Sequence, residues 1–323
     1  MKAFEYARPS SLEQARSLLA EKPRSVLKAG GIDLIDHMKE HLLEPSRVVD
    51  LRAVPGLDRI EAAGDGGLRI GPLATLADVA GHPDVRRTHA ALAEACAEAA
   101  SPQIRNVATI GGNLLQRPRC WYYRLESYHC LKKGGTLCYT VNGENRYHVI
   151  FGGGPCYAVH PSNAAVALLA FDAELVLEGA QGRRTVAAAD FFVEPAEDSL
   201  RENRLGDGEI LVEIRVPSAP GARSRYETAR ERAAFDWPLA AVAVVLRGGA
   251  EAVADPRIVL GAVAPVPWRV PRAEAAVAGQ ALTRAAADAA GEAATVGAAP
   301  LSDNGYKVAL VRTLVRRALM ALA

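Results

Sequence analysis

The sequence is poor in cysteine and aromatic residues, has no excess of charge of one sign and contains no long apolar run. Its 38 lysine and arginine residues nearly balance 37 aspartate and glutamate residues, so the formal net charge is +1. Such a balance argues against a protein that binds nucleic acid or a membrane surface through a long-range field. No window approaches the roughly 18 uninterrupted apolar residues of a membrane span, and the opening residues lack the apolar core of a signal peptide. We therefore expect a cytoplasmic protein.

Cysteine is scarce but clustered. Five cysteines occur in 323 residues, and four of them, Cys120, Cys130, Cys138 and Cys156, fall in one stretch with nine, seven and seventeen residues between neighbours. Because cytoplasmic thiols are kept reduced, this clustering favours a metal or redox site over a set of disulfides. The fifth, Cys96, lies alone in an alanine-rich helical segment, where core packing is the simplest interpretation.

The length of the chain suits two or three domains with their own cores. Residues 1–57 predict a compact βαβ unit, with a first helix that begins after Ser11. Residues 58–179 alternate strands and helices. Residues 180–323 predict an α+β domain that ends in a helix whose core-facing stripe is Tyr306, Leu310, Leu314 and Ala318.

Two glycine pairs stand out. Gly30 and Gly31, in "AGGID" (29–33), join a predicted strand to a helix, which is where a phosphate meets unpaired backbone N–H groups. By itself such a pair is more often only a tight turn. Gly111 and Gly112 form a second pair, flanked by Thr109 and Asn113, and two such loops suit a long cofactor that carries phosphate.

Three histidines are weaker candidates. His37 and His41 lie one helical turn apart, a spacing that can hold zinc, but no glutamate follows the first, and a solvated helix face is the favoured interpretation. His160 lies in an "HPS" turn, where a structural hydrogen bond and proximity to a cofactor are both open. We find no Ser-His-Asp or Cys-His arrangement in the sequence that indicates nucleophilic catalysis.

Eight stretches in order carry a family resemblance. They are "AGGIDL" (29–34), "IGPLATLADV" (70–79), "IRNVATIGGNLLQ" (104–116), "HPSNAAVALLA" (160–170), "ADFF" (189–192), "EILVEIRVP" (209–217), "RERAAFDWPLAAVAV" (230–244) and "GAVAPVPWR" (261–269). The chain thereby resembles the FAD-binding, or medium, subunit of the xanthine dehydrogenase and carbon monoxide dehydrogenase family of molybdenum hydroxylases.

The resemblance implies a vanillyl-alcohol-oxidase-like FAD-binding fold: two α+β subdomains followed by a smaller α+β C-terminal domain. It also implies which residues contact FAD: Ala29, Gly30, Gly31, Ile32, Asp33, Leu34, Thr109, Ile110, Gly111, Gly112, Asn113, Ser162 and Asn163. The sequence departs from the family at two positions. Asn163 replaces the usual aspartate, and Thr228 stands where many relatives have a lysine.

Relative to most members of the family, the cysteines lie in an insertion at about 117–157, between the "TIGGN" loop and the "HPS" turn. A subset of the family, including 4-hydroxybenzoyl-CoA reductases and certain bacterial aldehyde oxidoreductases, binds a [4Fe-4S] cluster with four cysteines of such an insertion. The resemblance implies the same metal ligands here: Cys120, Cys130, Cys138 and Cys156. Structural zinc sites usually show close cysteine pairs, which this stretch lacks, but zinc and no metal at all stay open as alternatives.

The implied function is electron transfer within a complex. The partners would be a large molybdopterin-binding subunit and a small subunit with two [2Fe-2S] centres, and FAD would exchange electrons with an external acceptor or donor. The sequence leaves the direction of flow open. Two alternatives from other classes are a free-standing flavoprotein oxidase and a zinc-stapled assembly subunit.

Overall fold

The computed structural model describes residues 1–232, 235–249 and 252–323, which form three β-sheets with helices packed against them. The strands are β1 (Glu5–Ala7), β2 (Ser25–Lys28), β3 (Arg47–Asp50), β4 (Ile60–Ala62), β5 (Leu68–Ile70), β6 (Glu174–Gly179), β7 (Gly182–Ala187), β8 (Ile210–Val216), β9 (Arg223–Ala229), β10 (Ala240–Gly248), β11 (Val253–Gly261) and β12 (Trp268–Arg269). The helices are α1 (Leu12–Glu21), α2 (Ile32–Lys39), α3 (Leu76–Gly81), α4 (Pro83–Thr88), α5 (Ala90–Ala97), α6 (Pro102–Arg105), α7 (Ile110–Leu114), α8 (Trp121–Arg124), α9 (Asn163–Ala170), α10 (Ala188–Phe191), α11 (Pro271–Val277), α12 (Arg284–Ala293) and α13 (Tyr306–Met320).

The first sheet is parallel and has the order β1-β3-β2. Helix α1 begins where predicted, because the Ser11 hydroxyl accepts a hydrogen bond from the backbone N–H of Gln14 at 3.1 Å. Strand β3 is buried along its whole length. It ends at Asp50, whose fully buried carboxylate forms ion pairs with Lys28 and Arg52.

The second sheet has five antiparallel strands in the order β4-β5-β8-β6-β7. Helix α9 shares a core with this sheet and contacts helix α5 and strands β10 and β11. It is buried at all eight positions, as its apolar composition requires. Strand β8 pairs with β5 and β6. The sheet therefore extends along the chain to Val216, beyond residue 179, where the sequence prediction ended the second block. Cys96 lies fully buried in this core, as predicted.

The third sheet is antiparallel, with the order β12-β11-β10-β9, and helices α11, α12 and α13 cover one of its faces. The predicted stripe of the last helix is correct in part. Leu314 and Ala318 are buried, whereas Tyr306 and Leu310 are half-buried. The fully buried residue of the first helical turn is Lys307, whose ammonium group donates to two backbone carbonyls.

The insertion at 117–157 has little regular structure. It contains the one-turn helix α8 and a 3-10 turn at 131–133. Its second half packs on the C-terminal domain, since Ile150 and Phe151 belong to that domain's core and their N–H groups both donate to the carbonyl of Val263. Among the helices of the described residues, none combines the length and the apolar character that crossing a bilayer requires.

Candidate functional site

A cavity of ≈ 570 Å³ lies between the first subdomain and the start of the second sheet. The two glycine loops form facing parts of its wall. The predicted FAD-contacting residues that line it are Ala29, Gly30, Gly31, Ile32, Asp33, Leu34, Thr109, Gly111, Gly112, Asn113 and Asn163. The structure thus brings together two segments that lie some 80 residues apart in the sequence.

The glycines allow backbone to pack on backbone. A Cβ at Gly30 would lie 2.2 Å from the carbonyl oxygen of Val107, and one at Gly111 would lie 2.7 Å from Cβ of Pro72. Gly31 caps helix α2 with a positive φ of 89°, a conformation that other residues rarely adopt. Small residues at these positions therefore set the width of the cavity.

The two loops differ in their free hydrogen-bond donors. The N–H groups at the start of helix α2 have no partner within the helix, as at any helix N-terminus. In the second loop, Ile110 and Gly111 already donate to the carbonyls of Ala74 and Pro72, and Gly112 donates to the Thr109 hydroxyl. The first loop is therefore the one that can offer backbone donors to a ligand.

Two of the predicted contacts lie behind the wall. Ile110 is fully buried in the core, and Ser162 caps helix α9 by accepting from the N–H of Ala165. The Ser162 hydroxyl also donates to Oδ1 of Asn113 at 2.7 Å. Ser162 therefore supports the Asn113 side chain from behind the wall, whereas Asn163 lines the cavity itself.

Asp33 ties the first loop to the insertion. Its Oδ1 accepts a hydrogen bond from Arg124 at 2.7 Å and lies 2.8 Å from Arg119, while Oδ2 accepts from the backbone N–H of Arg117 at 2.9 Å. Burial raises the pKa of Asp33, but the positive charge of Arg119 and weaker contacts beside it lower the pKa by more. The pKa of Asp33 therefore lies below its ordinary value. These arginines are functional neighbours that the sequence analysis missed, although "RPRC" (117–120) concentrates positive charge beside the first cysteine.

A segment of the C-terminal domain closes one side of the cavity. Phe235, Asp236 and Trp237 line it, and the guanidinium group of Arg119 lies 4.6 Å from the Trp237 ring centroid. Within the stretch 230–244, which carries part of the family resemblance, residues 233 and 234 lie outside the described residues. Thr228 does not line this cavity; its hydroxyl donates to the carbonyl of Ala240 within the sheet.

The four clustered cysteines line a second, much smaller cavity. All of Cys120, Cys130, Cys138 and Cys156 contribute to its wall, and the space between them is only ≈ 10 Å³, about that of one water molecule. Tyrosine rings surround them: Tyr122 stacks on Tyr139, and Tyr128 meets both edge-on. The insertion therefore builds its own packed interior around the sulfur atoms.

The thiols are unpaired and differ in their acidity. None of the five cysteines forms a disulfide. Burial raises the pKa of Cys120 to about 11, whereas a hydrogen bond from Cys156 lowers the pKa of Cys138. No group of three or more His, Cys, Asp or Glu side chains in the described part of the chain is arranged to hold a single metal ion.

Tyr123 lies in the walls of both cavities. Its hydroxyl is 3.0 Å from Nε2 of His37, whose Nδ1 is 2.8 Å from the carbonyl oxygen of Asp33. The prediction of a solvated face for the histidine pair is therefore wrong for His37, which is 4 % exposed, because the insertion covers this side of helix α2. His41 remains exposed.

Two further buried groups stabilise the region between the cavities. Glu202 pairs with Lys132 at 2.9 Å and with Arg117 at 3.0 Å. Burial raises the pKa of Glu202, but these two cations outweigh it and lower the pKa. His160 is buried edge-on against Phe192 and is not among the residues that line the larger cavity.

Comparison with known families settles the relationship of the chain. Residues 2–219 match the FAD binding domain in molybdopterin dehydrogenase, and residues 224–322 match the CO dehydrogenase flavoprotein C-terminal domain. The chain belongs to this flavoprotein family. The predicted family and the α+β fold class are thereby confirmed.

Individual relatives of this flavoprotein family match along nearly their whole length. The chain is 34 % identical over 315 residues to the aldehyde oxidoreductase FAD-binding subunit PaoB of Escherichia coli K12, covering 97 % of this chain and 96 % of the relative. It is 32 % identical over 325 residues to the carbon monoxide dehydrogenase medium chain of Hydrogenophaga pseudoflava, with 98 % and 96 % covered. A solved structure of that carbon monoxide dehydrogenase, which lacks the Mo-pyranopterin moiety, superposes with a TM-score of 0.79 at 31 % identity over 99 % of this chain and 97 % of the other.

Proposed function

We propose that the protein is the electron-transfer subunit of a multi-subunit molybdenum hydroxylase and carries FAD and a [4Fe-4S] cluster. One observation supports this proposal above the others. The two glycine loops line one cavity, the four cysteines line a second, and the Tyr123 side chain belongs to both walls.

The larger cavity fits FAD by its size and its wall. A volume of ≈ 570 Å³ lies within the range of small-molecule and cofactor sites. The pyrophosphate would lie at the first loop, where backbone N–H groups at the start of helix α2 are free to donate. Asp33 beside it is neutralised by Arg119 and Arg124, so its carboxylate does not oppose a bound phosphate.

The second glycine loop would then act by shape. Its N–H groups are engaged within the protein, and Gly111 lets the loop pack closely on Pro72 in the cavity wall. Asn113 and Asn163 supply side-chain amides at the same wall. Bound FAD would exchange electrons one or two at a time, which is the chemistry that the cofactor itself supplies.

The donor set of the smaller cavity fits a [4Fe-4S] cluster. Such a cluster takes four cysteine thiolates, and each binds a different iron, so the sulfur atoms need not converge as ligands of a single zinc ion must. A cubane is larger than the ≈ 10 Å³ between the thiols. Binding would therefore move the sulfur atoms apart, and Cys130 and Cys138 lie outside regular helices and strands, where the backbone can adjust.

The proposed partners follow from family membership. The chain has the flavoprotein domains, and its relatives are named as the FAD-binding subunit of an aldehyde oxidoreductase and the medium chain of a carbon monoxide dehydrogenase. We expect a large molybdopterin-binding subunit and a small subunit with two [2Fe-2S] centres. Electrons would pass between those centres and an external acceptor or donor.

The deciding experiment is cofactor analysis of the anaerobically purified chain. Flavin, iron, acid-labile sulfide and zinc are quantified, and an EPR spectrum is recorded after reduction. About four irons and four sulfides per flavin are expected. Zinc without sulfide would show that the four cysteines bind structural zinc and not a cluster. A chain that is active as a flavin oxidase without partners would overturn the assignment to a complex.

A further inference from the structure

His148 is a buried histidine in the insertion whose one polar ring contact is with a cysteine sulfur. Its Nε2 lies 3.2 Å from Sγ of Cys120, and the residue is 2 % exposed. Its other ring nitrogen, Nδ1, has no hydrogen-bond partner among the described residues. Within the same residues, no other clustered cysteine has a histidine nitrogen at hydrogen-bond distance.

The ring is held in this orientation by aromatic neighbours. The Trp121 ring meets it edge-on with centroids 5.4 Å apart, and the Tyr122 ring lies 6.2 Å away. Both rings directly follow Cys120, in the short helix α8 that begins after this cysteine, so the sulfur and the imidazole are positioned by the same packed group.

The backbone of His148 is anchored from the C-terminal domain. The amide group of Asn304 donates to the carbonyls of His148 and Val149 at 3.2 and 2.9 Å, and the ammonium group of Lys307 donates to the carbonyl of Tyr147 at 3.0 Å. Asn304 and Lys307 are fully buried. A distant part of the chain thus fixes the histidine that reaches the first cysteine.

From this geometry, and resting on the proposed function, we propose that His148 is a positioning residue for the iron–sulfur cluster: its Nε2–H donates a hydrogen bond to Sγ of Cys120 and raises the cluster's reduction potential. A thiolate bound to iron has no proton, so the hydrogen of this contact must come from the ring. Hydrogen bonds to cluster sulfur atoms stabilise the more negative, reduced form, and partners behind the ligands tune metal sites in this way.

Three variants test the proposal in the full chain, purified anaerobically. His148→Phe keeps a ring and removes the donor. His148→Gln keeps an N–H near the position of Nε2. His129→Phe is the matched control, because it makes the same exchange at an exposed histidine of the same insertion that does not line the cysteine cavity. The measurements are an EPR-monitored redox titration of the cluster, with iron, sulfide and flavin content from the same samples.

We expect His148→Phe to retain the cluster and to shift its one-electron reduction equilibrium about tenfold toward the oxidised form, about 59 mV more negative. His148→Gln should recover most of this shift, and His129→Phe should leave the potential unchanged. If His148→Phe loses iron while His148→Gln keeps both iron and the wild-type potential, the donor role is also supported.

Two results would overturn the proposal: a fully loaded His148→Phe variant with the wild-type potential, or loss of iron in both His148 variants with flavin retained, which would make the histidine a ligand or a structural residue. A failure of the proposed function looks different, because the wild-type chain itself would then contain no iron or sulfide.

Discussion

The two cavities are built in opposite ways from neighbouring parts of one chain. The wall of the larger cavity includes backbone and small residues at the starts of helices α2 and α7, and the cavity encloses ≈ 570 Å³. The smaller is formed by long side chains of an irregular insertion that close on each other to ≈ 10 Å³. A preformed cavity binds its ligand with little rearrangement, whereas a site closed on its own ligands couples metal binding to folding. We therefore expect cofactor loss to unfold the insertion locally and to leave the flavin cavity intact.

The largest effect is expected from removing one cysteine of the insertion. In Cys130→Ser, iron and acid-labile sulfide should fall from about four per chain to near zero, because the cluster loses one of its four thiolates. Flavin content should stay at the wild-type level, since Cys130 does not line the larger cavity. Cys96→Ala is the control: this thiol is buried in the core of the second sheet, and the variant should keep its iron. Full iron content in Cys130→Ser would contradict the assigned ligands.

The converse change should remove flavin and spare iron. In Gly30→Ala the new Cβ would lie 2.2 Å from the carbonyl oxygen of Val107, so the two loops must separate. Overpacking of this kind costs about 1–3 kcal/mol. A loss of about 1.4 kcal/mol in binding free energy is enough to weaken flavin binding about tenfold. Flavin affinity is measured by fluorescence titration, and iron is quantified in the same samples.

Gly64→Ala is the matched control for this substitution. No atom lies within 4 Å of a Cβ at Gly64, and the residue is exposed. Its flavin affinity should equal that of the wild type. An unchanged affinity in Gly30→Ala would place the cofactor elsewhere, and equal loss of flavin in both glycine variants would show a general effect of glycine replacement.

The sequence predicts the two sets of residues better than it predicts how they meet. Two glycine pairs edged by polar residues and four clustered cysteines are uncommon patterns in one chain, and their segments lie in the walls of the two cavities. Asp33 was predicted as an FAD contact, but its three arginine partners were not, because ion pairs between residues more than 80 positions apart leave no periodic signal. His37 was misread for the same reason: the pattern of helix α2 shows one polar face, and the insertion that buries it lies 86 residues further on.

The fold shows the same limit. The pairing of strand β8 with β5 and β6 is a long-range choice that alternation of apolar residues does not encode. In the last helix the stripe of Tyr306 and Leu310 follows the expected period, yet the buried residues are shifted by one position to Lys307 and Val311. A buried lysine is rare in sequence patterns, and this one is explained only by the carbonyls it meets.

A middle-sized effect should follow from removing the charge that joins the two regions. In Asp33→Asn the buried guanidinium groups of Arg119 and Arg124 lose their carboxylate, which should lower the free energy of unfolding by about 3 kcal/mol at pH 7. Asp36→Asn is the control, because this exposed carboxylate lies 3.6 Å from Arg119 and surface pairs contribute little. Urea unfolding measures both. A loss in Asp33→Asn no larger than in Asp36→Asn would show that the pairing adds no stability.

The same pair of proteins gives a pH dependence with a definite sign. The pKa of Asp33 is lower in the folded protein than its ordinary value of 3.8. The carboxylate therefore contributes its stability above that pH, and the contribution is lost as the pH falls through the folded pKa. The difference in unfolding free energy between the wild type and Asp33→Asn should shrink below about pH 4. A difference that grows on acidification would contradict the low pKa.

The smallest effect is expected at the residue shared by both walls. Tyr123→Phe removes the hydroxyl that lies 3.0 Å from Nε2 of His37, which should lower the free energy of unfolding by about 1 kcal/mol. The ring stays in place under the guanidinium group of Arg117, 4.8 Å from its centroid. Tyr122 lines only the smaller cavity. Tyr122→Phe should therefore lower the free energy of unfolding by less than Tyr123→Phe does. If Tyr123→Phe weakens flavin binding and lowers iron content together, while Tyr122→Phe does neither, the two cavities respond to one side chain as a coupled site. If flavin and iron contents are both unchanged, Tyr123 only separates the two cavities. The larger cavity and the cysteine cavity would then differ in structure and bind their cofactors independently.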